Sequence, residues 1–348
     1  MKKKILMRGN DAVAEAVIRA GCRHYYGYPI TPQNEIPEYL AQKFPELGGT
    51  FVQAESEIAA ACMVLGSSAA GVRTMTSTSS PGMTLKLEAI SYMSGARLPC
   101  VIVNVMRGGP GLGNIAGSQS DYFQATKGGA HGDYQSIVLA PENVQEFADQ
   151  TMLAFDLSDK YRVVAMVLGD GYLGQMSEPV VLPDPVQSVP KKPWALTGKK
   201  GRDQQVLASL RLLPDALGNH NIDLQNLYAE ITKAEVRFDS YMTEDADYLI
   251  VAYGTCARVS RTAIKALRNS GIKVGLFRPI TLWPFPSAQI GELAKKVKKI
   301  LTIEMCMGQM VQDVRLSVGC KTEVDLYGVA GGVIPDVDKI VERIKSYE

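Results

Sequence analysis

Apolar and polar positions alternate along the first half of the chain in the rhythm of strand, helix, strand. KILMRG reads as a strand, followed by the helix NDAVAEAVIRAG, with Asn10 as N-cap and Gly21 as its stop. HYYGYP, GTFVQAE, VRTMTSTSS, PCVIVNVM, SIVLAP and RVVAMVLGD are further strand signals. Between them lie the helical stretches NEIPEYLAQKF, SEIAAACMVLGSSAAG, GMTLKLEAISYMSG and NVQEFADQTMLAFDLSD. Continuously apolar strands separated by helices predict a mostly parallel sheet covered on both faces, an α/β fold.

The pattern then breaks. Pro179, Pro183, Pro185, Pro190 and Pro193 crowd one stretch, GKKGRD follows, and residues 205–240 are polar and helical in character. Alternation resumes at DYLIVAYG and runs to the terminal helix PDVDKIVERIKSYE. The expected division is a first domain over 1–178, a linker with a helical segment over 179–240, and a smaller α/β domain over 241–348.

Composition narrows the chemistry. The 348 residues carry a net charge of +1, so neither nucleic acid nor an anionic membrane is indicated as a partner. Six cysteines stand singly without a C-x-x-C, and the three histidines are His24, His131 and His220, so no zinc site or iron–sulfur cluster is encoded. No apolar run approaches the roughly 20 residues of a membrane helix. Only Ile5, Leu6 and Met7 precede Arg8, too little for a secretion signal, so a cytoplasmic location with reduced, mostly buried thiols is expected.

In open parallel sheets ligands bind beyond the carboxyl ends of the strands. Three features fall there: Thr31 in GYPITP, Glu55 after the third strand, and Arg107 after VIVNVM. Flanking prolines stiffen the loop around Thr31, which suits either a fixed hydroxyl or a plain crossover turn. Arg107 has the fork to grip a carboxylate or phosphate, and reads equally as a surface arginine. Ser56 is a plausible N-cap that leaves Glu57 in the first helical turn, so Glu57 is explained by the helix dipole and Glu55 is not. His131 sits in a polar loop, where a structural role is expected. Gly111 to Ala116, GLGNIA, fits a dinucleotide fingerprint with Asp133 downstream, but GSQSDYF is a poor helix start. A nucleotide-dependent dehydrogenase and a non-catalytic docking subunit are the competing readings.

Taken together and in order, GYPITPQNEI, QAESEIAA, TSTSSPGMTLKLEAISY, VNVMRGGPGLG and GDGYLGQMSEPV resemble the alpha-type subunit of 2-oxoacid:ferredoxin oxidoreductases over nearly the whole chain. VAYGTCARVSRTAIKAL and LFRPITLWPFP are similar to the transketolase C-terminal-like domain of that family. The likeness is greatest to the branched-chain type, acting on 3-methyl-2-oxobutanoate, with 2-oxoglutarate or pyruvate as alternatives. It implies a domain of the thiamine diphosphate pyrimidine-binding type. Glu55 would hydrogen-bond the pyrimidine and favour its imino tautomer. Tyr28, Pro29 and Ser79 would line the cofactor, and Thr31 and Arg107 would hold the substrate. The family reaction oxidatively decarboxylates the 2-oxoacid, passes acyl to coenzyme A and delivers electrons to ferredoxin. Thiamine diphosphate would be shared with a beta subunit that brings the diphosphate and Mg2+. Iron–sulfur clusters would lie in the beta and ferredoxin-like delta subunits, with a gamma subunit completing the complex. Asp170 of the Gly-Asp-Gly has no Asn before Asn219, so this chain is not expected to hold the magnesium.

Overall fold

The computed structural model describes residues 3–319 and 321–348. In chain order the first half runs β1 (Ile5–Arg8), α1 (Gly9–Arg19), β2 (His24–Gly27), α2 (Glu35–Glu46), β3 (Thr50–Gln53), α3 (Glu57–Ala69), β4 (Thr74–Thr78) and α4 (Ser80–Ala96). It continues with β5 (Cys100–Met106), α5 (Tyr122–Thr126), β6 (Ile137–Leu139), α6 (Val144–Tyr161), β7 (Val164–Asp170), α7 (Gly171–Gln175) and β8 (Ser177–Val180). The remainder is α8 (Pro214–Glu235), β9 (Phe238–Tyr241), β10 (Tyr248–Val251), α9 (Gly254–Asn269), β11 (Val274–Pro279) and β12 (Thr281–Trp283). It ends with α10 (Ser287–Ala294), β13 (Lys299–Glu304), α11 (Met310–Val318), β14 (Glu323–Gly328) and α12 (Val337–Lys345).

A seven-stranded sheet has the order β12-β6-β7-β5-β4-β2-β3 and is parallel except for β12. Its central strands β4, β5 and β7 are buried along their whole length, which is why they read as unbroken apolar or β-branched runs. A five-stranded sheet, β14-β13-β10-β11-β9, is parallel except for β9.

Three expectations shift. KILMRG does form β1, but β1 pairs antiparallel with β8 outside the main sheet. Its Leu6 is 71% exposed, so the strand lacks the two covered faces that a central parallel strand needs. The boundary drawn at residue 178 falls inside β8. In the 205–240 stretch the helix starts only at Pro214, and its Leu224, Tyr228 and Ile231 join the core around α1 and α6. The cysteines follow the expectation where they are described: Cys22, Cys100, Cys256 and Cys306 are buried and only Cys62 is exposed. Cys320 lies outside the described residues.

The two sheets share one interior. β12 leaves the second unit to pair with β6 of the first sheet. Met106, Tyr122 and Met166 of the first sheet's side form one apolar cluster with Leu249, Phe277 and Met310. The polar seam beside it is carried by Gln119. Its amide donates to the Tyr253 carbonyl (2.9 Å) and accepts from the Met305 N–H (3.0 Å), and its own N–H donates to the Met305 carbonyl (3.0 Å). Gln119→Ala strands the buried Met305 N–H, while the Tyr253 carbonyl keeps its bond from the Ala257 N–H (3.3 Å); the loss is expected to cost about 2 kcal/mol, read as a lower urea midpoint at unchanged slope.

Candidate functional site

The crevice lies beyond the carboxyl ends of β2, β4 and β5, which are neighbours around β4 in the sheet. Each strand hands over to a loop or helix start there. After β2 the chain runs through the exposed Tyr28, Pro29 and Thr31, with the Thr31–Pro32 peptide cis. Tyr28 and Pro29 line a cavity of about 200 Å3 together with Tyr25, Asn34, Phe51 and Gln53. After β4, Ser79 is the N-cap of α4; its hydroxyl is buried, makes no capping bond and has no hydrogen-bond partner. After β5 comes Arg107, 7% exposed.

Arg107 ties the loops together. Its Nη1 donates to the Thr31 carbonyl (3.0 Å) and its Nη2 to the Leu112 carbonyl (2.8 Å), while Nε is buried without a partner. Its backbone N–H donates to Ser80 Oγ (3.0 Å), and that hydroxyl donates to Asp121 (2.6 Å). Burial raises the Asp121 carboxyl, against the hydrogen bonds from Ser80 and Asn104. Arg107 is therefore no free surface arginine. The structure brings it to Thr31 as the sequence suggested, through a carbonyl rather than the hydroxyl.

The two glutamates are placed in the reverse of what capping alone suggests. Ser56 does cap α3, accepting from the Ala59 N–H (3.2 Å), and Glu57 does occupy the first turn. Glu55, two residues past β3, is exposed in the single chain. Glu57 is 6% exposed and turns inward to the end of β4. A Cβ added at Gly82 would sit 2.6 Å from Glu57 Oε1 and collide with Thr78 Oγ1, so only glycine admits the carboxylate there. Beneath it lies Lys86, whose Nζ donates to the Glu57 carbonyl (3.4 Å). Lys86 was missed from sequence, yet its signal was present: Met83, Lys86, Ile90 and Met93 form the buried stripe of α4 at helical spacing.

Two sequence motifs find structural roles. GLGNIA is a loop that opens no helix, the next one, α5, beginning only at Tyr122; Gly113, at φ +57°, packs where a Cβ would strike the Gly108 carbonyl. Asn114 in it donates to the Gly331 carbonyl (2.9 Å), which fastens the loop to the second unit. Asp170 of GDGYLGQ caps α7, accepting from the Tyr172 and Leu173 N–H groups (3.0 and 3.1 Å), and its other oxygen accepts from Thr255 Oγ1 (2.7 Å). Burial raises its carboxyl. His131 is exposed, and its carbonyl accepts from Ser91 Oγ (2.8 Å). Among the described residues no group of three or more His, Cys, Asp or Glu side chains is arranged to hold a metal ion, and no helix is long and apolar enough to cross a membrane.

Burial pushes the Lys86 ammonium from 10.5 down to about 8, with the charge of Glu57 opposing. Between these limits the unfolded chain keeps a proton that the folded chain has released, so stability rises with pH across that window. Relative to Lys86→Met, the wild type is expected to gain up to about 3 kcal/mol from about pH 8 to about pH 10.5. Urea unfolding of both proteins at each end checks this, and the difference cancels the other titrating groups.

Comparison with known proteins places this arrangement. Residues 15–234 match the family described as pyruvate flavodoxin/ferredoxin oxidoreductase, thiamine diphosphate-binding, and residues 246–340 match pyruvate:ferredoxin oxidoreductase core domain II. The ketoisovalerate oxidoreductase subunit VorB of Methanothermobacter marburgensis is 48% identical over 98% of this chain and 97% of its own. The 2-oxoglutarate synthase subunit KorA of Methanothermobacter thermautotrophicus is 37% identical over 99% of both. Among solved structures, a chain of the 2-oxoglutarate:ferredoxin oxidoreductase from Magnetococcus marinus superposes with a TM-score of 0.86 at 30% identity, covering 99% of this chain and 65% of that one. A split-gene transketolase shares the fold at a TM-score of 0.60 and 13% identity. The chain belongs to the 2-oxoacid:ferredoxin oxidoreductase family.

Proposed function

We propose that this crevice takes the pyrimidine half of thiamine diphosphate. The chain is then one subunit of a coenzyme A-acylating oxidoreductase that oxidatively decarboxylates 3-methyl-2-oxobutanoate, with ferredoxin as electron acceptor. The observation that carries the reading is a buried carboxylate, Glu57, and an unpartnered buried hydroxyl, Ser79, both at the carboxyl end of the parallel strand β4. Both groups suit a polar heterocycle: a carboxylate for a ring nitrogen, and a hydroxyl that still lacks a partner. The substrate assignment is supported by the 48% identity to a ketoisovalerate oxidoreductase subunit.

Thiamine diphosphate, when bound, supplies the nucleophilic carbon and the electron sink for decarboxylation. This chain's residues would position and tune. A glutamate holds a proton at the ring nitrogen in a site that excludes water. Family resemblance gives that role to Glu55, which a partner subunit would have to cover. The burial of Glu57 favours Glu57. Arg107 already spends two nitrogens on backbone carbonyls, so it offers a substrate carboxylate its Nε and its positive charge. Thr31 offers its hydroxyl at the exposed rim. Beta, gamma and ferredoxin-like delta subunits complete the enzyme. The diphosphate, the Mg2+ and the clusters fall to them, in keeping with an Asp170 whose oxygens are already used. Those clusters would supply one-electron transfer to ferredoxin for the two electrons released, and coenzyme A would take the acyl group.

The test is the complex purified with its native partners, assayed by viologen reduction on a panel of 2-oxoacids with coenzyme A. The highest kcat/KM is expected on 3-methyl-2-oxobutanoate; a preference for 2-oxoglutarate overturns the substrate. Glu57→Gln is expected to lower kcat by about 100-fold or more. Loss in Glu55→Gln with activity kept in Glu57→Gln returns the role to Glu55.

A further inference from the structure

Lys86 is hard to explain as a source of stability. Its side chain is fully buried, in an apolar stripe with Met83 and Ile90. Among the described residues its hydrogen-bond acceptor is the Glu57 carbonyl, at the long distance of 3.4 Å, so two of its three donors go without one. It lies against the first turn of α3, where the helix dipole opposes a cation. Burying an ammonium under these conditions is costly, and an apolar residue of similar volume would be better tolerated. What opposes that burial is the negative charge of the Glu57 carboxylate, the largest favourable charge interaction on Lys86.

We propose that Lys86 is a positioning residue for the reaction. It pins the first turn of α3 through the Glu57 carbonyl and sets a fixed positive charge behind the Glu57 carboxylate at the cofactor's edge. This rests on the reading that Glu57 faces the ring. Two consequences follow from the geometry. Without Lys86 the carboxylate keeps its place in sequence but loses its anchor and its counter-charge. The fold loses nothing, because the stripe around position 86 is apolar and accepts methionine.

The experiment compares Lys86→Met, Glu57→Gln and the double variant, each assembled with the native partners. Three quantities are read: the dissociation constant for thiamine diphosphate by calorimetric titration, kcat by viologen reduction, and the urea midpoint of the chain. Lys86→Met is expected to keep or raise the urea midpoint near pH 7. It should weaken thiamine diphosphate binding by about 10-fold and lower kcat by about 10-fold or more. On the Glu57→Gln background the same substitution should change neither binding nor kcat further. A lower urea midpoint with activity tracking the folded fraction overturns the proposal in favour of a structural lysine. So does an equal loss on both backgrounds. Full activity in Glu57→Gln removes the underlying reading instead. A disabled Glu57→Gln beside a fully active, normally binding Lys86→Met removes this inference alone.

Discussion

The clamp between the two units, made by Asp170 and Gln119, decides where the site is and what it can hold. Asp170 ends β7 at the carboxyl edge of the sheet and spends one oxygen on capping α7 and the other on Thr255. Gln119 does the same between β5 and α5, bridging the backbones at Tyr253 and Met305. The second unit is thereby held against the same edge at which β2, β4 and β5 open. Its Met307 and Gln309, with Pro110 and Asp121 of the first unit, enclose a cleft of about 430 Å3. A Gly-Asp-Gly turn that would suit a metal–diphosphate site is thus consumed as a joint.

At the crevice itself burial sorts groups that look alike in sequence. Glu55 and Glu57 are separated by one serine, yet one meets solvent and the other fills the space that Gly82 leaves open. The difference comes from the cap at Ser56, which starts the helix and turns Glu57 back over the end of β4. Arg107 is likewise drawn inward, because the loops after β2 and β5 meet there and the Thr31 and Leu112 carbonyls need donors.

Much of this was legible in the sequence. Unbroken apolar strands and intervening helices predicted the parallel sheet, and strand ends placed Thr31, Glu55 and Arg107 at one crevice, while Glu57 read only as a first-turn acid of its helix. What stayed hidden were properties of contact. The inward turn of Glu57 depends on a glycine some 25 residues away, and sequence spacing carries no such information. Lys86 carried a periodic signal, but a lysine at a buried position is overridden by the general rule that lysine is exposed. The roles of Asp170 and Gln119 depend on a domain packing that no local pattern encodes. The place of β1 with β8 was misjudged because a short apolar run says nothing of which edge it will meet.

The exchange of strands between the units has a further consequence. β12 belongs by sequence to the second unit and by pairing to the first sheet, and α8 comes from the connecting segment yet packs in the first core. A chain cut at the proline-rich stretch would leave β6 with a bare edge and strip α8 from its seat. Bare edges recruit other strands. Gene fission or proteolytic nicking there would therefore yield two sticky halves rather than two working modules. The proline-rich stretch looks like a seam between parts, yet the chain is woven across it.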